Sequence, residues 1–447
     1  MTGWAIRPFT WGAATSAFQI EGARNEGGKA DSIWDRFSDL GRMATGGERA
    51  CDHYHRWEED LDLLADLGVG GYRFSVAWAR VLPDGDGEVN PQGLAFYRRL
   101  VEGMVDRDIQ PFLTLYHWDL PQALQDRGGW SNREITESFA GYARVLVDGF
   151  GDVVKDWITI NEPWVASFLG HMEGVFAPGI QDWPTALRAA HHMLLAHGRA
   201  TSLIKEADPQ ARVGIAIDCR PAKPASSDEA DVDATRHFDG FRNRWFFDPV
   251  FGRGYPADMV GSYARMGRID GLNPDFVVDG DLETIAAPLD FLGLNYYTTT
   301  EVSAGFEETD APLRPPGPDQ PDDTTEMGWL IDPDGLRDYL MYLTERYEPA
   351  SIMITENGAS YSTGPGPSGE VDDVKRIGYL DSHIGAVLEA IDRGAPVDGY
   401  FVWSLLDNLE WVAGFSQRFG LVWVDFDTME RIPKRSFYWY RDRITGI

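Results

Sequence analysis

A short apolar run rich in β-forming residues, followed by a longer stretch with its apolar positions at helical spacing, recurs along the whole of this chain. The runs fall at residues 10–17, 71–75, 111–116, 156–160, 213–218, 291–295, 352–355 and 399–403. Amphipathic stretches lie between them, at 57–67, 93–106, 136–150, 184–207, 333–347 and 372–393. Near-continuous apolar strands alternating with helices suit a parallel sheet, because helices cover both faces of such a sheet. Eight such units close into an α/β fold, a (β/α)8 TIM barrel, and 447 residues leave room for extended βα loops. A doubly wound open sheet is the alternative, weakened because no GxGxxG turn follows the first run. No Gly/Ser-rich linker or low-complexity run divides the chain, so residues 1–447 read as a single barrel domain. Two tracts, 220–239 and 300–323, are the least regular. The second carries PLRPPGPDQPDD, whose prolines exclude helix or strand interior. It and STGPGPSG at 362–369 become long loops after the sixth and seventh strands, on the face where barrels keep their sites.

Charge narrows the partners. Lys+Arg 40 against Asp+Glu 71 leaves a formal 40 − 71 = −31. Nucleic-acid binding relies on clustered cations that release counterions, and a chain this acidic without a basic run is not built for it. An anionic membrane surface is disfavoured for the same reason. No stretch approaches the roughly 18 apolar residues of a membrane span. The opening MTGWAIRPFTWG has neither a basic nor an apolar leader region, which predicts a cytoplasmic location. Cys51 and Cys219 stand far apart and outside any CxxC pattern, as buried free thiols would. The long amphipathic stretches have core spacing and call for no partner helix.

Catalytic groups of barrels come from the C-terminal ends of the strands, and two of these ends read alike. The fourth closes as DWITINEPW and the seventh as IMITENG, each an apolar run stopping at an Asn/Glu pair, Asn161-Glu162 and Glu356-Asn357. Taken singly, each is most simply a surface glutamate at the start of a loop. Two carboxyls facing one mouth are instead the apparatus for cleaving a glycosidic bond: one protonates the leaving oxygen, the other attacks or activates water. The remaining ends agree. Gln19 and Glu21 follow the first strand, Arg73 lies in the second, and His117-Trp118-Asp119 closes the third. Asn295 and Tyr297 close the sixth, while Trp403 closes the eighth ahead of Glu410-Trp411. Sugar hydroxyls need such donors and acceptors, and the C–H faces of a sugar need an aromatic plate.

These motifs resemble glycoside hydrolase family 1, the β-glucosidase family, and the resemblance covers essentially the whole chain. It rests on FTWGAATSAFQIEG at 9–22, TINEPW at 159–164, ITENG at 354–358, WSLLDNLEW at 403–411 and RFGL at 418–421, in that order. The resemblance implies a retaining β-glycosidase working by double displacement without a cofactor, with Glu356 as nucleophile and Glu162 as general acid/base. It implies that Gln19, His117, Asn161, Glu410 and Trp411 hold the sugar hydroxyls, with Trp403 as stacking floor. Trp118, Asn295 and Tyr297 would belong to the same binding wall, and Arg73, Asn295 and Tyr297 would orient Glu356. Trp164 and Trp329 would flank the aglycone, and Phe419 would close the sugar pocket. A retaining pair stands about 5–5.5 Å apart. Arg73 and the Tyr297 hydroxyl are expected to keep Glu356 ionised, and the charge of Glu356 together with burial to keep Glu162 protonated.

Other chemistries find no support. There is no GxSxG elbow and no glycine-rich phosphate loop. No metal site is expected: His53 and His55 read as surface or helix-start residues, and His191, His192 and His197 as packing residues of a helix. Trp57, Trp130, Trp157, Trp245 and Trp439 are expected in the core. Relatives acting on 6-phosphorylated sugars replace the Glu-Trp pair after the eighth strand. The intact Glu410-Trp411 therefore favours unphosphorylated β-D-glucosides (cellobiose, cello-oligosaccharides, aryl β-glucosides), with β-galactosides and β-fucosides as side activities. A glutamate at 162, where plant-type thioglucosidases carry Gln, favours an O-glycosidase. The competing readings are a 6-phospho-β-glycosidase and a catalytically inactive sugar-binding protein on the same barrel. Aglycone choice is assigned to the loops at 300–329 and 360–370.

Overall fold

Eight parallel strands pair in chain order and close on themselves: β1 (Thr10–Ala14), β2 (Gly71–Ser75), β3 (Gln110–Tyr116), β4 (Asp156–Asn161), β5 (Arg212–Cys219), β6 (Phe291–Tyr296), β7 (Ile352–Asn357) and β8 (Val397–Trp403). β8 returns to β1 with Gly399 opposite Thr10 and Trp403 opposite Ala14. This computed structural model describes residues 9–306, 308 and 323–446.

The strand period of two sorts each strand's side chains between two cores. Ala14, Phe112, Ile158, Ala216, Phe291, Met353 and Phe401 point inward and make one apolar cluster. It mixes rings with alanines, and glycines make further room. A Cβ on Gly12 would collide with the Phe401 ring, and one on Gly214 with Phe291. The lower barrel is therefore packed with side chains, which leaves the other end for a ligand. The alternate residues, such as Trp157, Leu292, Ile352 and Ile354, face outward into a larger core shared with the helices.

Six long helices supply much of that outer layer: α1 (His53–Leu67), α2 (Pro91–Val105), α3 (Ile135–Phe150), α4 (Trp183–Ala207), α5 (Pro333–Tyr347) and α6 (Val374–Asp392). Three begin on local signals written in the sequence. Asn90, Asp182 and Asp332 each accept a hydrogen bond from a backbone N–H of the first turn, with a proline at one of the first two helical positions. Each then buries one face, as α3 does with Phe139, Tyr142 and Leu146.

Some expectations needed correction. The first strand stops at Ala14 instead of residue 17, and Ala17–Ile20 forms a buried helical turn. The tract at 220–239 is not irregular throughout: Glu229–Asp239 is a helix, with Glu229 and Asp231 in its first turn and Arg236 and His237 in its last. That order matches the helix dipole at both ends. Thr300–Val302 pairs in parallel with Ala222–Pro224, while PLRPPGPDQPDD lies outside the described residues but for its last residue, Asp323. His53 opens α1 but is buried against Asp60, whereas His55 is exposed. His191, His192 and His197 are buried in α4, bonded to Asp281, the Trp130 carbonyl and Thr159. Trp130, Trp157 and Trp245 are fully buried, and Trp57 and Trp439 pack against the core from its edge. Cys51 and Cys219 are buried and free. Among the described residues, no helix is long and apolar enough to cross a membrane.

Candidate active site

Glu162 follows β4 and Glu356 is the penultimate residue of β7, and both line one pocket at the C-terminal mouth of the barrel. They are 6 % and 3 % exposed, so neither is the surface glutamate that a loop start would usually carry. A continuous set of hydrogen bonds joins them. Arg73 reaches across from β2 and donates to Glu356 Oε1 at 2.5 Å and to Asn161 Oδ1 at 2.6 Å. Asn295, next to last in β6, donates to that same Asn161 oxygen at 3.0 Å and to Glu162 Oε1 at 2.7 Å. Tyr297 donates to Glu356 Oε2 at 2.6 Å. Thr355 orients the Asn295 amide by donating to its Oδ1 at 2.6 Å. Four strands thus fix two carboxyls through side chains that are themselves fixed.

The surroundings treat the two acids differently. Burial pushes the Glu162 carboxyl well above the ordinary range, and the charges of Asp218 and Glu356 push it further. Burial also raises Glu356, but the Arg73 guanidinium and the Tyr297 hydroxyl oppose the rise. The surroundings thus favour a proton more strongly on Glu162 than on Glu356. Glu162 adopts φ 49°, Trp118 φ 75° and Trp411 φ 47°. Left-handed backbone at non-glycine residues costs of order 1–3 kcal/mol each, and three such residues lie on one pocket wall.

The pocket brings together most of the residues singled out in the sequence. His117, Trp118, Trp403 and Trp411 form one aromatic wall, with Trp118 and Trp411 centroids 4.5 Å apart and the His117 ring stacked on Trp403 at 5.8 Å. Tyr297, Trp329 and Phe419 form another. Trp164 lines the side nearest Glu162. Glu410 presents a buried Oε2 without a hydrogen-bond partner, and burial raises its carboxyl to about 8. His117 accepts from the Asn161 amide at Nε2 (3.2 Å), which leaves the proton on Nδ1, buried and unpartnered. Burial holds this imidazole neutral. An orphan acceptor and an orphan donor facing one cavity are what a polyhydroxylated ligand satisfies.

Arg73, Asn161 and Gln19 are set behind this surface. The Gln19 amide donates to Asn408 Oδ1 at 3.1 Å and to the Leu409 carbonyl at 2.9 Å. It thereby ties the first strand's exit to the segment carrying Glu410. Asn295, expected to orient Glu356, acts on both carboxyls: it donates to Glu162 Oε1 at 2.7 Å and helps to lower the Glu356 carboxyl.

Three charged pocket residues were not foreseen: Asp218, Arg220 and Arg242. Asp218 and Arg220 stand at the end of β5, the one strand tip whose side chains were not read. Arg242 lies on a π-helical turn, Gly240–Arg244, pairs with Asp218, and stacks on Trp164 at 3.7 Å. A second π-turn, Val165–Leu169, follows Glu162 and also lines the pocket. Such turns are frequent at functional sites. Among the described residues, no group of three or more His, Cys, Asp or Glu is placed to hold a metal ion.

Comparison with known proteins agrees with this geometry. A family model described as "Glycosyl hydrolase family 1" matches residues 2–446. Beta-glucosidase A of Acetivibrio thermocellus is 43% identical over 447 residues, covering 98% of this chain and 97% of that one. Beta-glucosidase A of Thermotoga maritima is 45% identical over 436 residues, covering 97% and 96%. The solved structure of a family 1 b-glucosidase from Thermotoga maritima superposes with a TM-score of 0.90 at 43% identity, covering 98% of this chain and 97% of that chain.

Proposed function

The chain belongs to glycosyl hydrolase family 1, and from that premise we propose that it is a retaining β-glucosidase in which Glu356 is the nucleophile and Glu162 the acid/base. The observation that carries these roles is the asymmetry of two buried carboxyls facing one pocket: one held by a guanidinium and a phenol, the other beside an aspartate.

The chemistry follows from that asymmetry. Ionised Glu356 attacks the anomeric carbon while Glu162 gives its proton to the departing glycosidic oxygen, leaving a glucosyl ester on Glu356. Esterification removes the charge of Glu356 that helped keep Glu162 protonated. Glu162 then takes a proton from the water that attacks the same carbon, and Glu356 is released as carboxylate. Glu410 Oε2 accepts from sugar hydroxyls, His117 Nδ1 donates to one, and Trp403 gives the apolar face of the ring its plate. Trp164 and Trp329 flank the leaving group. Residues 1–447 serve as one catalytic domain on this reading. The lining of the described pocket holds no lysine, and Glu410 faces into it, which favours an unphosphorylated sugar. Cellobiose and short cello-oligosaccharides, as products of cellulose breakdown, are the natural substrates we infer. The two buried free thiols fit a reducing, cytoplasmic setting.

The test is release of p-nitrophenol from p-nitrophenyl β-D-glucoside. Turnover with the β-anomer of glucose as first product is expected; binding without turnover would mean a sugar receptor instead.

A further inference from the structure

Arg220 is a pocket cation that makes no ion pair among the described residues, in a molecule whose net charge is −31. It lines the pocket together with Asp218 and Arg242. Asp218 makes its ion pair with Arg242 and acts on Arg220 only through its charge, without a contact. No carboxylate among the described residues makes an ion pair with Arg220, and its Nε is buried without a hydrogen-bond acceptor. Burial and the charge of Arg242 push this guanidinium down to about 9, as expected for a cation short of counter-charge, yet it remains charged at neutral pH.

Its place says which part of a substrate it meets. Asp218 and Arg242 act electrostatically on Glu162, and Arg242 covers Trp164, two residues after Glu162. This is the side of the group that protonates the leaving oxygen. An arginine whose fork is free and partly buried binds a planar carboxylate in two-point fashion. We propose that Arg220 selects a leaving group bearing a carboxylate, so that glucosides of carboxylated phenols or of sugar acids are preferred to their neutral counterparts. The inference rests on the β-glucosidase reading. It adds the chemical class of the aglycone.

The experiment compares kcat/KM for 4-carboxyphenyl β-D-glucoside with that for its methyl ester, and for cellobionate with that for cellobiose, in wild type, R220Q and R220K. The carboxylate-to-neutral ratio should fall about tenfold in R220Q, the discrimination a charge-assisted hydrogen bond carries, and R220K should keep part of it. A fall in the aryl pair alone assigns the carboxylate to a phenolic leaving group. A fall in the sugar pair alone assigns it to a sugar acid. Ratios unchanged in both pairs overturn the inference. Should the variants fold poorly, wild type decides: 4-hydroxybenzoate should inhibit about tenfold more tightly than its methyl ester, and equal inhibition overturns the inference. Turnover of p-nitrophenyl β-D-glucoside in the same preparation separates failure of this inference from failure of the enzyme reading.

Discussion

Glu162 and Glu356 are the same side chain, and what separates their tasks lies in their neighbours. Both are buried, which favours the protonated form of each. Asp218 adds to that at Glu162, whereas Arg73 and Tyr297 subtract from it at Glu356. The sign for activity follows. A raised pKa keeps the Glu162 proton in place above the ordinary carboxylate range, and activity is lost as pH climbs through that raised value. Glu162→Gln should therefore abolish the basic limb of the pH profile. It should slow alkyl glucosides by about 10²–10⁴-fold and a dinitrophenyl glucoside far less, because the latter needs no proton to leave. Kinetics across pH with both substrates check this. An intact basic limb, or equal losses on both, would remove Glu162 from the acid role.

At the scale of elements, the site depends on how firmly the segment after β8 is held. Asp407 accepts from Lys434 Nζ at 2.6 Å, Arg418 Nη1 at 2.8 Å and the Gly420 N–H at 2.9 Å, and so clamps the stretch bearing Glu410, Trp411 and Phe419. Lys434 is fully buried, and burial lowers its ammonium to about 8. Asp407→Ala strands that charge and should reduce stability by about 3–5 kcal/mol in denaturant unfolding. A loss under about 1 kcal/mol would mean the clamp is dispensable. The barrel elements were legible because strands covered on both sides must be apolar, and Asn90, Asp182 and Asp332 announce three helix starts. Their upper ends were not. Asn161, Glu356 and Asn357 belong to strands β4 and β7, yet hydrophobicity stops one or two residues earlier. They stay in the sheet because their polar groups are satisfied there: Arg73 donates to Asn161 and Glu356, and Asn357 is taken by Tyr400 and the Tyr296 carbonyl. Likewise Asp218 closes the fifth apolar run and Arg220 opens a tract that composition alone marks as loop. Arg242 reaches them from a π-turn, and no periodicity in the sequence signals its approach.

The molecule as a whole does one thing that no strand does: closing the sheet brings β4 and β7, nearly 200 residues apart in sequence, to one mouth with only β5 and β6 between them. The packed lower barrel leaves that mouth as the place where the chemistry can happen. Two carboxyls reaching a sugar from opposite faces is the central claim, and azide reads it out as stereochemistry. In Glu356→Gly, azide takes the nucleophile's place and attacks an activated β-glucoside from below, so the product should be the α-glucosyl azide. In Glu162→Ala, azide takes the place of water and attacks the glucosyl ester from above, so the product should be the β-glucosyl azide. Opposite configurations from the two variants are predicted; the same configuration from both, or no rescue of either, would contradict the account.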